Sequence, residues 1–149
     1  MRDPRDFYRT PEWCVHQLYQ TILLPSPTLD PCAGDGALVR AAPGTHCLAI
    51  EKDPELAEAG KELGTHIVCG DGLEQSWKHK FVLMNPPFKD AETWVRKAIA
   101  EAANAAILLR LGFLASQRRR ELFNQHPPSH LVVLSKRPSF TSDGKTDSY

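Results

Sequence analysis

The chain has 149 residues, 42% of them hydrophobic and 24% charged, with a formal net charge of zero. This size and balance predict one domain over residues 1–149 with a single core, and the neutral total argues against a protein that coats nucleic acid through bulk charge. No apolar run approaches the ~20 residues of a membrane helix, and the charged start is not followed by the apolar stretch of a signal peptide, so a cytoplasmic protein with no membrane partner is expected.

In chain order, Thr10-Pro11-Glu12 reads as a helix start with Thr10 as N-cap and Pro11 at the first helical position. Val15, Leu18, Tyr19 and Ile22 follow at helical spacing up to about Leu23. A short strand at 28–31 leads into the turn Ala33-Gly34-Asp35-Gly36. A second strand is predicted at 46–51, a helix capped by Asp53 and closed by Gly64 comes next, and a third strand at 66–69 runs into Gly70-Asp71-Gly72. A fourth strand at 81–84 stops at Asn85-Pro86-Pro87-Phe88, and an amphipathic helix covers 90–104. Two further apolar runs of strand length, 106–111 and 130–135, flank a helical segment containing residues 118–123, and residues 141–149 form a polar, loop-like tail. This alternation predicts an α/β fold, a mostly parallel sheet with helices on both faces.

In such a sheet a ligand binds at the carboxyl ends of the strands, where Gly34-Asp35-Gly36 lies. A surface turn uses the same residues, so the spacing that follows matters. Glu51, ending the second strand, places a carboxylate to accept both ribose hydroxyls of a nucleoside, and Asp71, ending the third, can accept from an adenine amino group. Taken singly, each is equally a solvated strand end or turn residue. Val39 stands where a dinucleotide turn prefers its third glycine, and no Lys-Ser or Lys-Thr pair follows to make a phosphate loop, so a ligand without phosphate fits better. In Asn85-Pro86-Pro87-Phe88 the prolines stiffen the backbone, which can hold the Asn85 side-chain oxygen and the Pro86 carbonyl as convergent acceptors for a planar NH2 group. Phe88 offers a face for base stacking, although a proline turn with a core phenylalanine accounts for the tetrapeptide alone.

Together these motifs resemble the N6-adenine DNA methyltransferases of the class I superfamily, with its Rossmann-like fold, especially the short phage-type and restriction-modification forms. The resemblance spans nearly the whole chain and implies S-adenosylmethionine as cofactor and DNA as partner. Asp6-Phe7-Tyr8-Arg9-Thr10-Pro11 resembles the N-terminal motif, within a segment 1–24, whose Tyr8, Thr10 and Pro11 close over the methionine part of the cofactor. Leu29 to Gly36 resembles the cofactor turn, with Asp30 and Gly34 near the methionine moiety; Ala49-Ile50-Glu51 supplies the ribose acid and Gly70-Asp71-Gly72 the adenine contact, with Cys32 and Lys52 as further cofactor-binding candidates. Asn85 to Phe88 is the implied catalytic tetrad, and Arg137-Pro138-Ser139-Phe140 is similar to a motif that holds the flipped base, with Phe140 as a second stacking residue. The implied chemistry is direct attack of adenine N6 on the sulfonium methyl, with the base swung out of the duplex.

From Arg110 to Tyr149 seven basic residues stand against three acidic ones. Arg118, Arg119, Arg120, Lys136 and Arg137 are the candidates for phosphate contact, with a solvated helix face as the competing account of the arginine run. The resembling family continues into a further aromatic-rich strand, so an open sheet edge, one completed by a second subunit in a homodimer, or a truncated product of reduced stability is expected here. A separate target-recognition segment is not evident. The four cysteines lack C-x-x-C spacing and are expected to be reduced and mostly buried, and His126 and His130 are separated by Pro127-Pro128, so no metal is expected. The same tetrad serves any planar NH2, which leaves an RNA base or a protein glutamine as alternative substrates, and a non-catalytic nucleotide-binding or DNA-binding module as an alternative class.

Overall fold

Short apolar strands alternating with helices must be covered on both faces, and the computed structural model of the protein, which describes residues 7–23, 25, 28–42, 46–78 and 80–139, meets that demand with a parallel sheet. Helix α1 spans Glu12–Thr21, β1 Thr28–Asp30, α2 Ala37–Ala41, β2 Cys47–Glu51 and α3 Pro54–Glu62. Next come β3 (Ile67–Cys69), β4 (Phe81–Met84), α4 (Ala91–Glu101), β5 (Asn104–Ile107) and α5 (Arg120–Gln125). The five strands are all parallel, in the order β3-β2-β1-β4-β5. Among the described residues no helix is long and apolar enough to cross a membrane.

Side-chain alternation along β4 divides the core. Phe81 and Leu83 pack with Val15 of α1 and Leu38 and Ala41 of α2, whereas Val82 and Met84 pack with Leu29, Trp77 and Trp94 on the face that α4 covers. Ala49 of β2 meets Ala57 of α3. Val82, Met84 and Trp77 are wholly buried, and each aliphatic side chain so placed contributes about 1.5–3 kcal/mol. Asp53 caps α3 as expected, its side chain accepting from the backbone N–H groups of Glu55 and Leu56.

Four expectations need correction. Thr10 does not cap α1: Pro11 occupies the N-cap, the helix ends at Thr21 rather than near Leu23, and the Thr10 hydroxyl is engaged elsewhere. The strand expected at 106–111 forms at Asn104–Ile107, because its register follows β4, Phe81 facing Asn104 and Met84 facing Ile107. Beyond Met84, whose carbonyl takes the N–H of Leu108, β4 runs into prolines that have no N–H to continue the ladder. Residues 130–135 form no strand; Ser135 donates through its backbone N–H and hydroxyl to Gln17 Oε1 of α1 instead. All four cysteines are free, but only Cys14 is buried, and Cys69 is exposed.

Candidate functional site

From β1 the chain winds outward through β2 and β3 on one side, then returns to lay β4 and β5 on the other, so the topology reverses between β1 and β4. In open parallel sheets the crevice at that reversal is where ligands bind. The glycine turn leaves β1 there and Asn85 leaves β4 there, which brings motifs about fifty residues apart to one place. A cleft of about 730 Å3 opens at this point, lined on one side by Tyr8, Thr10 and Asn85 and on the other by Glu51, Lys52 and Asp71. Cys32, Gly34, Gly72 and Pro87 also line it. That volume lies within the ~300–1,000 Å3 of small-molecule and cofactor sites.

Glu51 organises the turn as well as facing the cleft. Its Oε2 accepts from the Gly34 N–H at 2.7 Å and its Oε1 from the Asp53 N–H at 2.8 Å, and each oxygen retains a further lone pair for a ligand hydroxyl. Gly34 adopts φ +56°, and a side chain there would collide with the Phe7 ring. Asp71 Oδ1 accepts from the Leu73 N–H at 2.9 Å, while Oδ2 takes the Lys52 ammonium at 2.7 Å. The Lys52 hydrogen bond, then that of Leu73, holds the Asp71 carboxyl below its usual range, and Lys52 is raised in turn by its bond to Asp71.

Asp30 lies one residue beneath the cleft wall and has no exposed surface. Burial pushes its carboxyl from 3.8 up to about 8, against the lowering effect of the Cys32 N–H and with a raising contribution from the Glu51 carboxylate. Its Oδ1 accepts that N–H at 3.2 Å; its Oδ2 has no hydrogen-bond partner among the described residues. The Cys32 thiol is driven well above its ordinary value by burial and then by the carboxylates of Asp30 and Glu51, so it stays protonated.

The Asn85 side chain is held by two hydrogen bonds. Its Nδ2 donates to Thr10 Oγ1 at 3.0 Å and to the Tyr8 carbonyl at 3.3 Å, which uses both amide hydrogens and fixes the other end as an acceptor. That acceptor, Oδ1, is buried without a hydrogen-bond partner among the described residues. Pro86 is fully buried behind it. Phe88 packs against Tyr8, ring centres 5.2 Å apart and planes tilted by 32°, and the Arg110 guanidinium lies over the Phe88 ring at 4.3 Å.

The sequence reading missed four contributors. Arg9 pairs with the buried carboxylate of Asp35, latching residues 7–10 onto the glycine turn. Trp77 donates from Nε1 to the Gly72 carbonyl at 2.9 Å and stacks on Trp94 at 5.9 Å, fixing the turn after β3; a Cβ on Gly72 would come within 1.8 Å of the Pro31 carbonyl oxygen. Arg110 is the fourth. Only Arg9 and Asp35 carried a local signal, being part of motifs already singled out.

Two of the candidate phosphate-contact residues are engaged within the fold. Arg118 Nη2 binds Glu92 Oε2 at 2.5 Å, and Arg119 reaches the same oxygen at 3.6 Å while covering the Phe113 ring. These two therefore hold the segment before α5 against α4. Arg120 is exposed, and Lys136 lies over Trp13 at 5.0 Å. Phe140, Asp6 and the tail 141–149 lie outside the described residues. No protein-family model matches the chain, and no curated protein matches it.

Proposed function

We propose that the protein is an S-adenosylmethionine-dependent N-methyltransferase working on a planar amino group. Its substrate in this reading is adenine in DNA, methylated at N6. The observation that carries the reading is Asn85 Oδ1, a buried acceptor without a hydrogen-bond partner among the described residues, at the end of β4 and facing the same cleft as Glu51 and Asp71. An unsatisfied buried acceptor costs about 1–3 kcal/mol, and an NH2 donor removes that cost.

The cleft's chemistry suits this cofactor. Glu51 and Asp71 are acceptors for ribose hydroxyls and an adenine amino group, and Asp30 adds a buried carboxyl that a cationic methionine moiety would return toward its ordinary range. The same carboxylates repel phosphate, which disfavours a dinucleotide. S-adenosylmethionine supplies an electrophilic methyl carried on a sulfonium.

The chain's own part is positioning and preorganised electrostatics. Asn85 Oδ1 would accept a hydrogen from the target amine and draw its nitrogen out of conjugation with the ring, leaving the lone pair free for the methyl group that the bound cofactor would supply from its sulfonium. The nitrogen then releases a proton to water. Thr10 and the Tyr8 carbonyl keep the amide from turning over. Phe88 stacks the base, worth about 1–3 kcal/mol. DNA adenine is favoured over other planar amines by the resemblance of the motifs to those of the N6-adenine DNA methyltransferases.

Tritium transfer from labelled S-adenosylmethionine to unmethylated duplex DNA, single-stranded DNA, RNA and protein, with mass spectrometry of the product, tests the reading. N6-methyladenine in DNA supports it. Product in RNA or at a glutamine reassigns the substrate, and cofactor binding without transfer indicates a non-catalytic module. Asn85→Ala is expected to lose transfer by ~100-fold or more while retaining cofactor affinity, whereas Glu51→Ala weakens cofactor binding first; the reverse pattern overturns the roles.

A further inference from the structure

We propose that Arg9 is a positioning residue for methyl transfer: by tying residues 7–10 to the glycine turn, it sets which end of the Asn85 amide faces the target amine. The inference deepens the methyltransferase reading and rests on it.

Residues 7–10 bridge the two sides of the reversal between β1 and β4, and their contacts divide between those sides. Phe7 and Arg9 go to the turn after β1: the Phe7 ring lies so close over Gly34 that a Cβ there would collide with it, and the Arg9 guanidinium pairs with Asp35. Tyr8 and Thr10 go to the end of β4. The Tyr8 ring packs on Phe88, the Tyr8 carbonyl accepts from Asn85 Nδ2 at 3.3 Å, and Thr10 Oγ1 accepts from the same nitrogen at 3.0 Å. Both amide hydrogens of Asn85 are therefore held by the residues on either side of Arg9 in the chain.

The ion pair is what anchors the segment from the other side. The Asp35 side chain is 2% exposed, and a carboxylate so buried requires a cation. Arg40 stands farther off, its Nη2 at 3.6 Å, while its Nη1 donates to the Asp35 carbonyl and to Thr65 Oγ1 at 2.9 Å. Arg9 is thus the nearer of the two cations, and Asp35 draws it and its neighbours onto the turn. Without that pull the Tyr8 carbonyl and the Thr10 hydroxyl are released from the Asn85 amide, which then turns over and presents Nδ2, a donor, where the amine requires Oδ1, an acceptor. A reacting group is placed only as well as the shell that supports it.

The test uses the full chain, first without cofactor and then in methyl transfer to unmethylated duplex DNA. In the nitrogen-15-labelled, cofactor-free parent, the Asn85 side-chain amide is the signal pair that Asn85→Ala lacks; Arg9→Ala should speed its exchange with solvent by about tenfold. In the transfer assay Arg9→Ala should lower kcat by about tenfold, with KM for DNA within about twofold of the parent, and Arg9→Lys should recover most of both the exchange protection and kcat. In an Asn85→Ala background, Arg9→Ala should lower the residual rate no further. An equal fall in both backgrounds is the mark of a merely structural role and overturns the inference, as does parent-like amide exchange in Arg9→Ala. Because that variant leaves a buried carboxylate without its nearer cation, Arg9→Ala/Asp35→Asn is measured beside it and should show the same fast exchange and low kcat; parent values in the double variant overturn the inference even where the single variant fails to fold. A parent that transfers no methyl group to DNA overturns the functional reading and with it the part given to Arg9, whereas a transferring parent whose Asn85 amide is indifferent to Arg9 overturns this inference alone.

Discussion

Strands β1 to β4 and the chain beyond β5 obey the same physics with opposite outcomes. In the first region each apolar run finds a neighbouring strand and a helix: all four side chains of β4 are buried, and Leu29 faces Leu48 on one flank and Val82 on the other. In the second region, Leu111 and Val133 are each 66% exposed, and Leu122 is the buried hydrophobic residue among the described positions after β5. An apolar stretch becomes a strand only where another strand offers backbone partners, and β5 is an edge of the sheet. The candidate site belongs to the first region: most of its contacts come from strand ends already fixed by pairing. The second region contributes Arg110 and little else.

That contrast can be broken from the core side. Trp77→Ala removes the largest fully buried side chain together with the hydrogen bond to the Gly72 carbonyl. A loss of about 3–5 kcal/mol is expected, measured by denaturant unfolding, and under the proposed function the affinity for S-adenosylmethionine should fall with it because the Asp71-Gly72 turn is released. A loss below ~1 kcal/mol would show that the first region is less cooperative than its burial implies.

A smaller, pH-dependent effect is expected beneath the cleft. The folded-state pKa of Asp30 is raised from 3.8 to about 8, so its contribution to stability is complete below pH 3.8 and is lost as pH rises to about 8. Asp30→Asn, which cannot ionise, should melt at a higher temperature than the cofactor-free parent at pH 8–9, and the two should converge below about pH 4. Saturating S-adenosylmethionine should narrow the gap at high pH, since a bound cation favours the carboxylate. Parallel melting curves across this range would refute the account of Asp30.

The smallest effect concerns how the second region is attached. Glu92 of α4 gathers Arg96, Arg118 and Arg119, and Arg118 followed by Arg96 holds its carboxyl below the ordinary range. Glu92→Gln should cost about 1 kcal/mol or less globally, yet speed hydrogen exchange in the segment 111–126 more than elsewhere. Because a depressed carboxyl contributes stability above its unfolded value and loses it as pH falls through the folded one, the difference from the parent should shrink as the medium is acidified through the lowered folded value and vanish below it.

Most of the first region was legible from the sequence. Residues 81–84 read as a strand because β-prone and apolar side chains stop at two prolines, and Asp53 read as a cap because its side chain reaches two free N–H groups. The second region was misread for a definite reason: residues 106–111 and 130–135 have strand-like composition, and composition does not reveal whether a partner is present. The same limit applies to single residues. Thr10 before Pro11 has the form of a helix cap, and its hydroxyl instead serves Asn85, seventy-five residues away.

The sequence by itself determined which residues carry the candidate chemistry, because glycine turns, strand-terminal acids and a double proline are local properties of the backbone and the side chain. Tertiary structure alone decided how they act together. The reversal between β1 and β4 joins the glycine turn to Asn85, Trp77 holds Gly72, Arg9 closes on Asp35, and Arg110 lies on Phe88. Apart from the Trp77–Gly72 bond, which spans five residues, these are contacts between distant segments, set by strand order and packing, to which no local pattern in the chain corresponds.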